Sequence, residues 1–191
     1  MDIAGWENMY RSGERGSEHA PTILLVETAA SLPGGRALDL ACGAGRNALY
    51  LAERGWAVTA IDGSETAIDI LRKRASERGV SLEAQVADLQ APDFTLPENT
   101  FDLVVIAYYL QRDLFWKAKS AVRPGGLLLA IVHTAEGPEE PNYKRAAPGE
   151  LQTFFFGWEI LHSYEGPSRD PAHRRPVAEV VARRPIGHSG G

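Results

Sequence analysis

Hydrophobic positions along this chain fall into short dense runs separated by segments of helical spacing. Ala37, Leu38, Leu40 and Ala41 form the first run, Ala57 to Ile61 the second, Leu82 to Ala87 the third, Phe101 to Ala107 the fourth and Leu127 to His133 the fifth. Each has the length of a strand, and all but the third, where Glu83 and Gln85 alternate with Leu82, Ala84 and Val86, are apolar without strict alternation, the pattern of parallel strands covered on both faces. Between the runs the spacing predicts helices over Arg46 to Arg54, Ser64 to Arg78 and Arg112 to Val122. In the second of these, Ile68, Leu71 and Ala75 share the buried side and Ser64 is the N-cap. A loop with Pro92 and Pro97 precedes the fourth run, and Arg123, Pro124, Gly125 and Gly126 predict a turn before the fifth.

The flanks read differently. Residues 2–12 predict a short helix with Trp6, Met9 and Tyr10 on one face, broken by Ser12 to Gly16. A second helix, Pro21 to Ser31, carries Ile23, Leu24, Val26 and Glu27, and Pro33, Gly34 and Gly35 end it. Beyond the fifth run, residues 134–148 form a polar, proline-containing connection. A short helix, Pro148 to Phe156, and two strands, Glu159 to Glu165 and Val177 to Arg183, follow, with a tail from Gly187 to Gly191 expected to be disordered. The expectation is one domain over 1–186: N-terminal helices to residue 32, a core over 36–133, and a C-terminal helix and strand pair over 148–184.

Chemistry concentrates at the carboxyl ends of the runs, where ligands bind in a doubly wound sheet. After the first run, Gly43 and Gly45 let the backbone turn tightly, and a helix begins at once at Arg46. Strand, glycine turn and helix form the nucleotide-binding corner of a Rossmann-like α/β fold with helices on both faces. Asp39 is the unusual member, because a carboxylate in a dry strand must be paired or meet a ligand. Asp62 follows Gly43 by 19 residues, a spacing suited to ribose hydroxyls. Asp88 ends the third strand, and Ala107, Tyr108 and Tyr109 end the fourth. Taken singly, each has a plain alternative: Asp62 before Gly63 and Ser64 is also a turn or cap residue, and Tyr108 is also packing. Arg46 opposes the dipole of the helix it starts, a cost of a few tenths of a kcal/mol that a ligand carboxylate would offset.

Arg36 to Asn47 resembles the first motif of class I S-adenosylmethionine-dependent methyltransferases. Cys42 to Ala52 and Gly149 to Glu159 resemble the small TehB-type branch, the tellurite-resistance methyltransferases. The resemblance implies seven strands, the last two an antiparallel hairpin at the edge of a mostly parallel sheet. It implies that Asp39 faces the methionine amino group of S-adenosyl-L-methionine. Asp62, with Gly63 and Ser64, would serve the ribose, and Asp88 with the Leu89 N–H the adenine. The N-terminal helices would fold over the cofactor, with Trp6, Tyr10 and Arg11 lining its pocket. Ala41 stands where the motif usually has glycine. A His-Arg pair on the hairpin lies near the acceptor in that branch. Ser168 and Arg169 match it by spacing, so the histidine is missing and tellurite is in doubt as a substrate. Tyr108, Arg169 and His173 are the candidate catalytic residues, with Arg112 and Arg174 as further candidates for neutralising an anionic acceptor.

The bulk composition narrows the acceptor. The chain has 191 residues and a net charge of −5, which argues against a nucleic-acid surface, although Arg169, His173, Arg174, Arg175, Arg183 and Arg184 make the C-terminal part basic. Cys42 is the single cysteine, so no internal disulfide forms, and it reads as a small residue packed beside the ligand. No basic segment leads into an apolar run at the N-terminus, and no apolar stretch approaches the roughly 18 residues of a membrane span. A cytoplasmic location is the expectation, as a monomer or homodimer. His19, His133, His162, His173 and His188 show no metal-ligand spacing. No Asn/Asp-Pro-Pro-aromatic motif or acidic cluster follows the fourth strand and no Pro-Cys pair occurs, which disfavours amino methylation of adenine, cytosine or glutamine, thiolate attack at cytosine C5 and a magnesium-catechol mechanism. The short segment after the fifth strand leaves no room for a large acceptor-binding domain, so a small-molecule acceptor methylated by in-line transfer is the expectation. Two other readings stay open. Gly43, Gly45 and Ala48 with Asp62 also satisfy the fingerprint of a nicotinamide-dependent (NAD(P)-binding) oxidoreductase, against which Asp39 speaks. A cofactor-binding protein without turnover is the other.

Overall fold

A computed structural model describes residues 2–17, 20–135 and 144–187. His19, His188, most of the connection over 134–148 and all of the tail but Gly187 lie outside the described residues. Seven strands form one sheet in the order β3-β2-β1-β4-β5-β7-β6. The chain divides into two compact units, Met1–Phe94 and Thr95–Gly191.

The first unit contains α1 (Ile3–Arg11), α2 (Ile23–Ala29), β1 (Arg36–Leu40), α3 (Arg46–Ala52), β2 (Ala57–Asp62), α4 (Glu65–Arg78) and β3 (Glu83–Val86). β1 pairs parallel to β2, with Asp39 beside Ala60, and β2 parallel to β3, with Asp62 beside Val86. Ala37, Leu38 and Leu40 are fully buried, as are Leu49 and Leu51 of α3 and Ile68 and Leu71 of α4. Each such leucine stabilises the fold by about 1.5–3 kcal/mol. Ser64 caps α4 by accepting from the Ala67 N–H at 3.1 Å, and Gly79 closes the helix in the left-handed region. The start of α2 is served from elsewhere: the buried Asn47 Oδ1 of α3 accepts from the Thr22 N–H at 2.9 Å. This bond fixes α2 to the helix that follows the glycine turn.

The second unit contains β4 (Phe101–Ala107), α5 (Leu114–Ala121), β5 (Val122–His133), α6 (Glu150–Thr153), β6 (Glu159–Gly166) and β7 (Val177–Arg183). β4 and β5 are parallel, β5 and β7 antiparallel, and β7 and β6 antiparallel. The hairpin therefore joins β5 through its second strand. β7 is buried along nearly its whole length, whereas β6 alternates exposed and half-buried positions as an edge strand.

Two expected elements differ. The predicted turn at Arg123 to Gly126 lies within β5, because the Gly125 N–H donates to Arg184 O at 3.0 Å and the Arg184 N–H to Gly126 O at 2.9 Å. Those bonds to the chain beyond β7 draw the segment into the sheet, and the pairing with β4 shifts register between Phe101 and Leu103. The helix expected over Pro148 to Phe156 is only the four residues of α6, starting after a left-handed Gly149 and ending in turns over Phe154 to Gly157.

Ala41 occupies φ +54, the left-handed region that glycine tolerates and alanine does not. Ala41→Gly is expected to stabilise the protein by up to about 1 kcal/mol, since relief of strain exceeds the added entropy of the unfolded chain. A lower urea midpoint for the variant would contradict this.

Candidate active site

In the first unit the site is built on the turn after β1. Asp39 is 1 % exposed. The Ala48 N–H donates to its carboxylate, and Oδ2 has no hydrogen-bond partner. Burial pushes its pKa up to about 7; the Ala48 bond opposes the shift, the charge of Asp62 adds to it and that of Arg46 opposes it. A buried acceptor without a donor is costly. Arg46 donates to Ala20 O at 3.3 Å, which ties the start of α3 to the segment before α2.

Asp62, at the end of β2, holds the loop itself. Its Oδ2 accepts from the Gly43 N–H at 2.8 Å and its Oδ1 from the Ser64 N–H at 2.9 Å. The turn-residue role is thus present, and with the Gly63 N–H also bonded to the carboxylate, one acceptor site is left for a ligand donor. Burial raises its pKa and these backbone donors restrain the rise. Asp88 closes a turn by accepting from the Gln90 N–H at 2.8 Å, beside the buried Leu89. Cys42 is buried, and burial raises its thiol well above the ordinary value, so it is packing rather than a nucleophile.

The helix α1 lies across this turn. The Tyr10 hydroxyl sits against Gly43, in the space a Cβ there would take, and Ile3 sits against Gly63. Trp6 and Tyr10 are tilted neighbours with ring centroids 6.5 Å apart. Arg11 points outward and pairs with Glu7 at 3.0 Å. The residue that fastens α1 is Glu7, which composition and spacing did not single out. It accepts from the Ser64 hydroxyl at 2.6 Å and from the Thr66 hydroxyl at 2.5 Å and N–H at 3.2 Å. The Ser64 hydroxyl, then the Thr66 hydroxyl, hold its pKa down at about 2. A depressed carboxylate stabilises the fold above its unfolded pKa and loses that contribution as pH falls through the folded one. Amide hydrogen exchange in α1 is therefore expected to accelerate between pH 4.5 and about 2, before exchange in α4 does. Equal acceleration of the two helices would contradict the assignment.

In the second unit a compact polar cluster gathers at the carboxyl ends of β4 and β5. Tyr108 follows β4 at φ +62, a strained conformation for an aromatic residue. Its ring lies flat on that of His173, centroids 3.4 Å apart and planes within 1°. Its hydroxyl donates to Asp170 Oδ2 at 3.1 Å. His133 closes β5 with Nε2 3.2 Å from His173 Nδ1. Two of the three candidate catalytic residues, Tyr108 and His173, thus meet directly. Arg169 reaches the buried Glu179 at 3.5 Å, where His162 also binds at 3.1 Å. Arg112 forms a bidentate pair with Glu150 at 2.5 and 3.0 Å, so it serves the α5–α6 contact. His133, Asp170 and Glu179 were missed by the sequence reading. His133 carried the signal that marked Asp62 and Asp88, a polar residue closing an apolar strand. Among the described residues no cluster of metal-binding side chains occurs.

Comparison with known proteins places this geometry. Residues 37–126 match the family model of a methyltransferase domain. The probable S-adenosyl-L-methionine-dependent methyltransferase TehB of Haemophilus influenzae is 27% identical over 151 residues, covering 74% of this chain and 52% of that protein. The chain spans about half the length of the curated relatives it matches. A solved structure reporting conversion of a disulfide bond into a thioacetal group during echinomycin biosynthesis aligns with a TM-score of 0.75 at 25% identity, over 98% of this chain and 93% of that one. The TehB structure from Haemophilus influenzae aligns with a TM-score of 0.73 at 24% identity, over 94% of this chain and 67% of that one. With its seven-stranded sheet, the polar ends of β1, β2 and the β3 segment, and a methyltransferase-domain match over residues 37–126, the chain is similar to S-adenosylmethionine-dependent methyltransferases, TehB among them.

Proposed function

We propose that this protein binds S-adenosyl-L-methionine and transfers its methyl group to a small-molecule acceptor. The observation that carries the reading is Asp39, whose buried Oδ2 has no donor of its own and suits an ammonium group. That fit is poor for a dinucleotide, which brings no cation to this position. When bound, the cofactor supplies a methyl group already activated on a sulfonium. The protein's part is to hold and orient. Asp39 takes the methionine ammonium and Arg46 its carboxylate, while Ala41 and Gly43 bring backbone close to it. Asp62 takes the ribose hydroxyls, supported by the loop of Gly63 and Ser64. Asp88 and the Leu89 N–H take the adenine. Trp6 and Tyr10 cover the cofactor from α1 and exclude water, whereas Arg11, expected to line the pocket with them, points outward to Glu7. Positioning of this kind contributes up to about 7–11 kcal/mol to such a displacement.

A small acceptor is supported by the short connection between β5 and α6, which spans only residues 134–149 and leaves no room there for an acceptor-binding domain. It is supported too by the aligned structure that concerns conversion of a disulfide bond into a thioacetal group during echinomycin biosynthesis. The net charge of −5 favours a diffusible acceptor over nucleic acid. Among the described residues no helix is long and apolar enough to cross a membrane. The reading takes the protein as a cytoplasmic monomer or homodimer.

Incubation with methyl-labelled S-adenosylmethionine and a panel of small acceptors tests the activity. Labelled product is expected, and intact cofactor binding with no product across the panel would make the protein a binder without turnover. Asp62→Ala is expected to weaken S-adenosylhomocysteine binding by about 1–3 kcal/mol, the cost of leaving polar partners unpaired. Unchanged affinity in calorimetry would remove Asp62 from the site.

A further inference from the structure

We propose that Glu7 is a positioning residue for the cofactor: its carboxylate clasps α1 to the start of α4, and release of this clasp sets how fast S-adenosylmethionine enters and its product leaves. The inference rests on the methyltransferase reading for its ligand and on the first unit alone for its geometry. α1 lies over both of the loops that follow β1 and β2. At one end the Tyr10 hydroxyl occupies the space beside Gly43. At the other, Ile3 lies 3.0 Å from where a Cβ on Gly63 would stand, a position that also faces the Ala87 carbonyl. A ligand held along these loops exchanges with solvent only when α1 lifts.

Apolar burial does little to keep α1 down. None of its nine residues is buried, whereas α4 buries Ala67, Ile68, Leu71 and Ala75. An element with so little buried surface belongs to the part of a fold that opens locally at low cost. Glu7 supplies what packing does not. Its Oε2 accepts from the Ser64 hydroxyl at 2.6 Å and the Thr66 N–H at 3.2 Å, and its Oε1 from the Thr66 hydroxyl at 2.5 Å. Hydrogen bonds to an ionised group are about twice as strong as neutral ones. The carboxylate also stands at the N-terminus of α4, where the helix dipole favours negative charge.

The clasp is joined to the ligand side of the turn. The Ser64 hydroxyl that donates to Glu7 accepts from the Ala67 N–H at 3.1 Å, and the Ser64 N–H donates to Asp62 Oδ1 at 2.9 Å. Asp62 Oδ2 in turn accepts from the Gly43 N–H, beside which the Tyr10 hydroxyl rests. From Glu7 through Ser64, Asp62 and Gly43 back to Tyr10, these contacts close a ring that includes the carboxylate assigned to the ribose. Just beyond α1, Gly13 has φ +79, and nothing lies within 4 Å of a Cβ placed there. Past it the chain is tied down again, because Arg74 donates to Gly16 O and, at 3.3 Å, to Ala44 O. α1 can therefore swing as a unit between a glycine hinge and a polar clasp. Glu7 acts through Ser64 and through the helix that carries it, not by touching the reacting atoms.

Surface plasmon resonance of the full chain with S-adenosylhomocysteine tests this. A cover that lifts for entry and exit alike changes both rates, whereas loss of a ligand contact changes mainly dissociation. Glu7→Gln is expected to raise the association and dissociation rates together by about tenfold, with affinity changed much less. Thr66→Val should raise both by about threefold, and Thr66→Ser, which keeps the hydroxyl, should retain the rates of the unaltered chain. In the Glu7→Gln background Thr66→Val should add little, because the two residues form one clasp. Neither substitution should remove the cooperative melt of the chain, since α1 buries no residue. Faster dissociation alone, unchanged rates, or independent effects of the two substitutions would overturn the clasp. Absence of S-adenosylhomocysteine binding in the unaltered chain would instead overturn the methyltransferase reading. Amide exchange in α1 then decides the clasp: faster exchange in Glu7→Gln upholds it, and unchanged exchange overturns it.

Discussion

Asp39→Asn is expected to stabilise the free protein and at the same time to weaken S-adenosylhomocysteine binding by about 30- to 150-fold, a loss of about 2–3 kcal/mol. Both effects come from one buried oxygen. In the free protein Asp39 is 1 % exposed and its Oδ2 has no donor, so the ionised form is disfavoured and its pKa rises to about 7. A group whose folded pKa lies above its unfolded value contributes stability that is fully present below the unfolded pKa and lost as pH rises through the folded one. The unfolded value is 3.8, so the unaltered protein is expected to lose stability relative to the variant between pH 3.8 and about 7, with the gap widest above that. Asparagine keeps an acceptor for the Ala48 N–H and removes the charge. Ligand binding runs the other way: an ammonium pairs with the ionised carboxylate, so affinity should fall as pH drops below about 7 in the unaltered protein and stay flat in the variant. Thermal melts and calorimetry over that range read both slopes. A variant that melts lower at alkaline pH and binds as tightly would separate Asp39 from the ligand.

Gly45→Ala is expected to cost about 2–5 kcal/mol of stability, the sum of a left-handed backbone penalty and overpacking. Gly45 sits at φ +80 as the residue before α3, and a Cβ there would overlap the Leu71 side chain, which is fully buried in α4. Neither partner can give way cheaply, since Leu71 belongs to the core and the turn is fixed by the Gly43–Asp62 bond. Gly55 is the internal control: it too has φ +80, but no atom lies within 4 Å of the added Cβ. Gly55→Ala should cost only the backbone term of about 1–2 kcal/mol. Urea denaturation of the two variants separates the terms. Equal losses would mean that Leu71 yields without cost and that the turn is less constrained than its contacts imply.

The strands and the cofactor side of the site were legible because their signals are local. Asp39, Asp62 and Asp88 each close or interrupt an apolar run, and Gly43 and Gly45 stand directly before a helix. The order of the last strands was not legible from spacing. β7 enters between β5 and β6 with both faces buried, but the chain order gives no hint of which neighbour it joins. The same holds for Arg123 to Gly126, whose proline and glycines read as a turn until pairing with Arg184 draws them into β5. Glu7 and Asn47 do their work across 57 and 25 residues respectively, through side-chain bonds that no local pattern announces. On the acceptor side, Tyr108 and His173 could be named but not joined. Their stacking depends on a left-handed turn at Tyr108 and on Asp170, 62 residues away.

The central claim is that the turn after β1 accepts a cofactor bearing its own cation. Calorimetric titration of the full chain with S-adenosylhomocysteine, with NADH as control, tests it most directly. Micromolar binding of S-adenosylhomocysteine with no heat from NADH is the predicted result. Binding of NADH with no response to S-adenosylhomocysteine would contradict the role given to Asp39 and the function built on it.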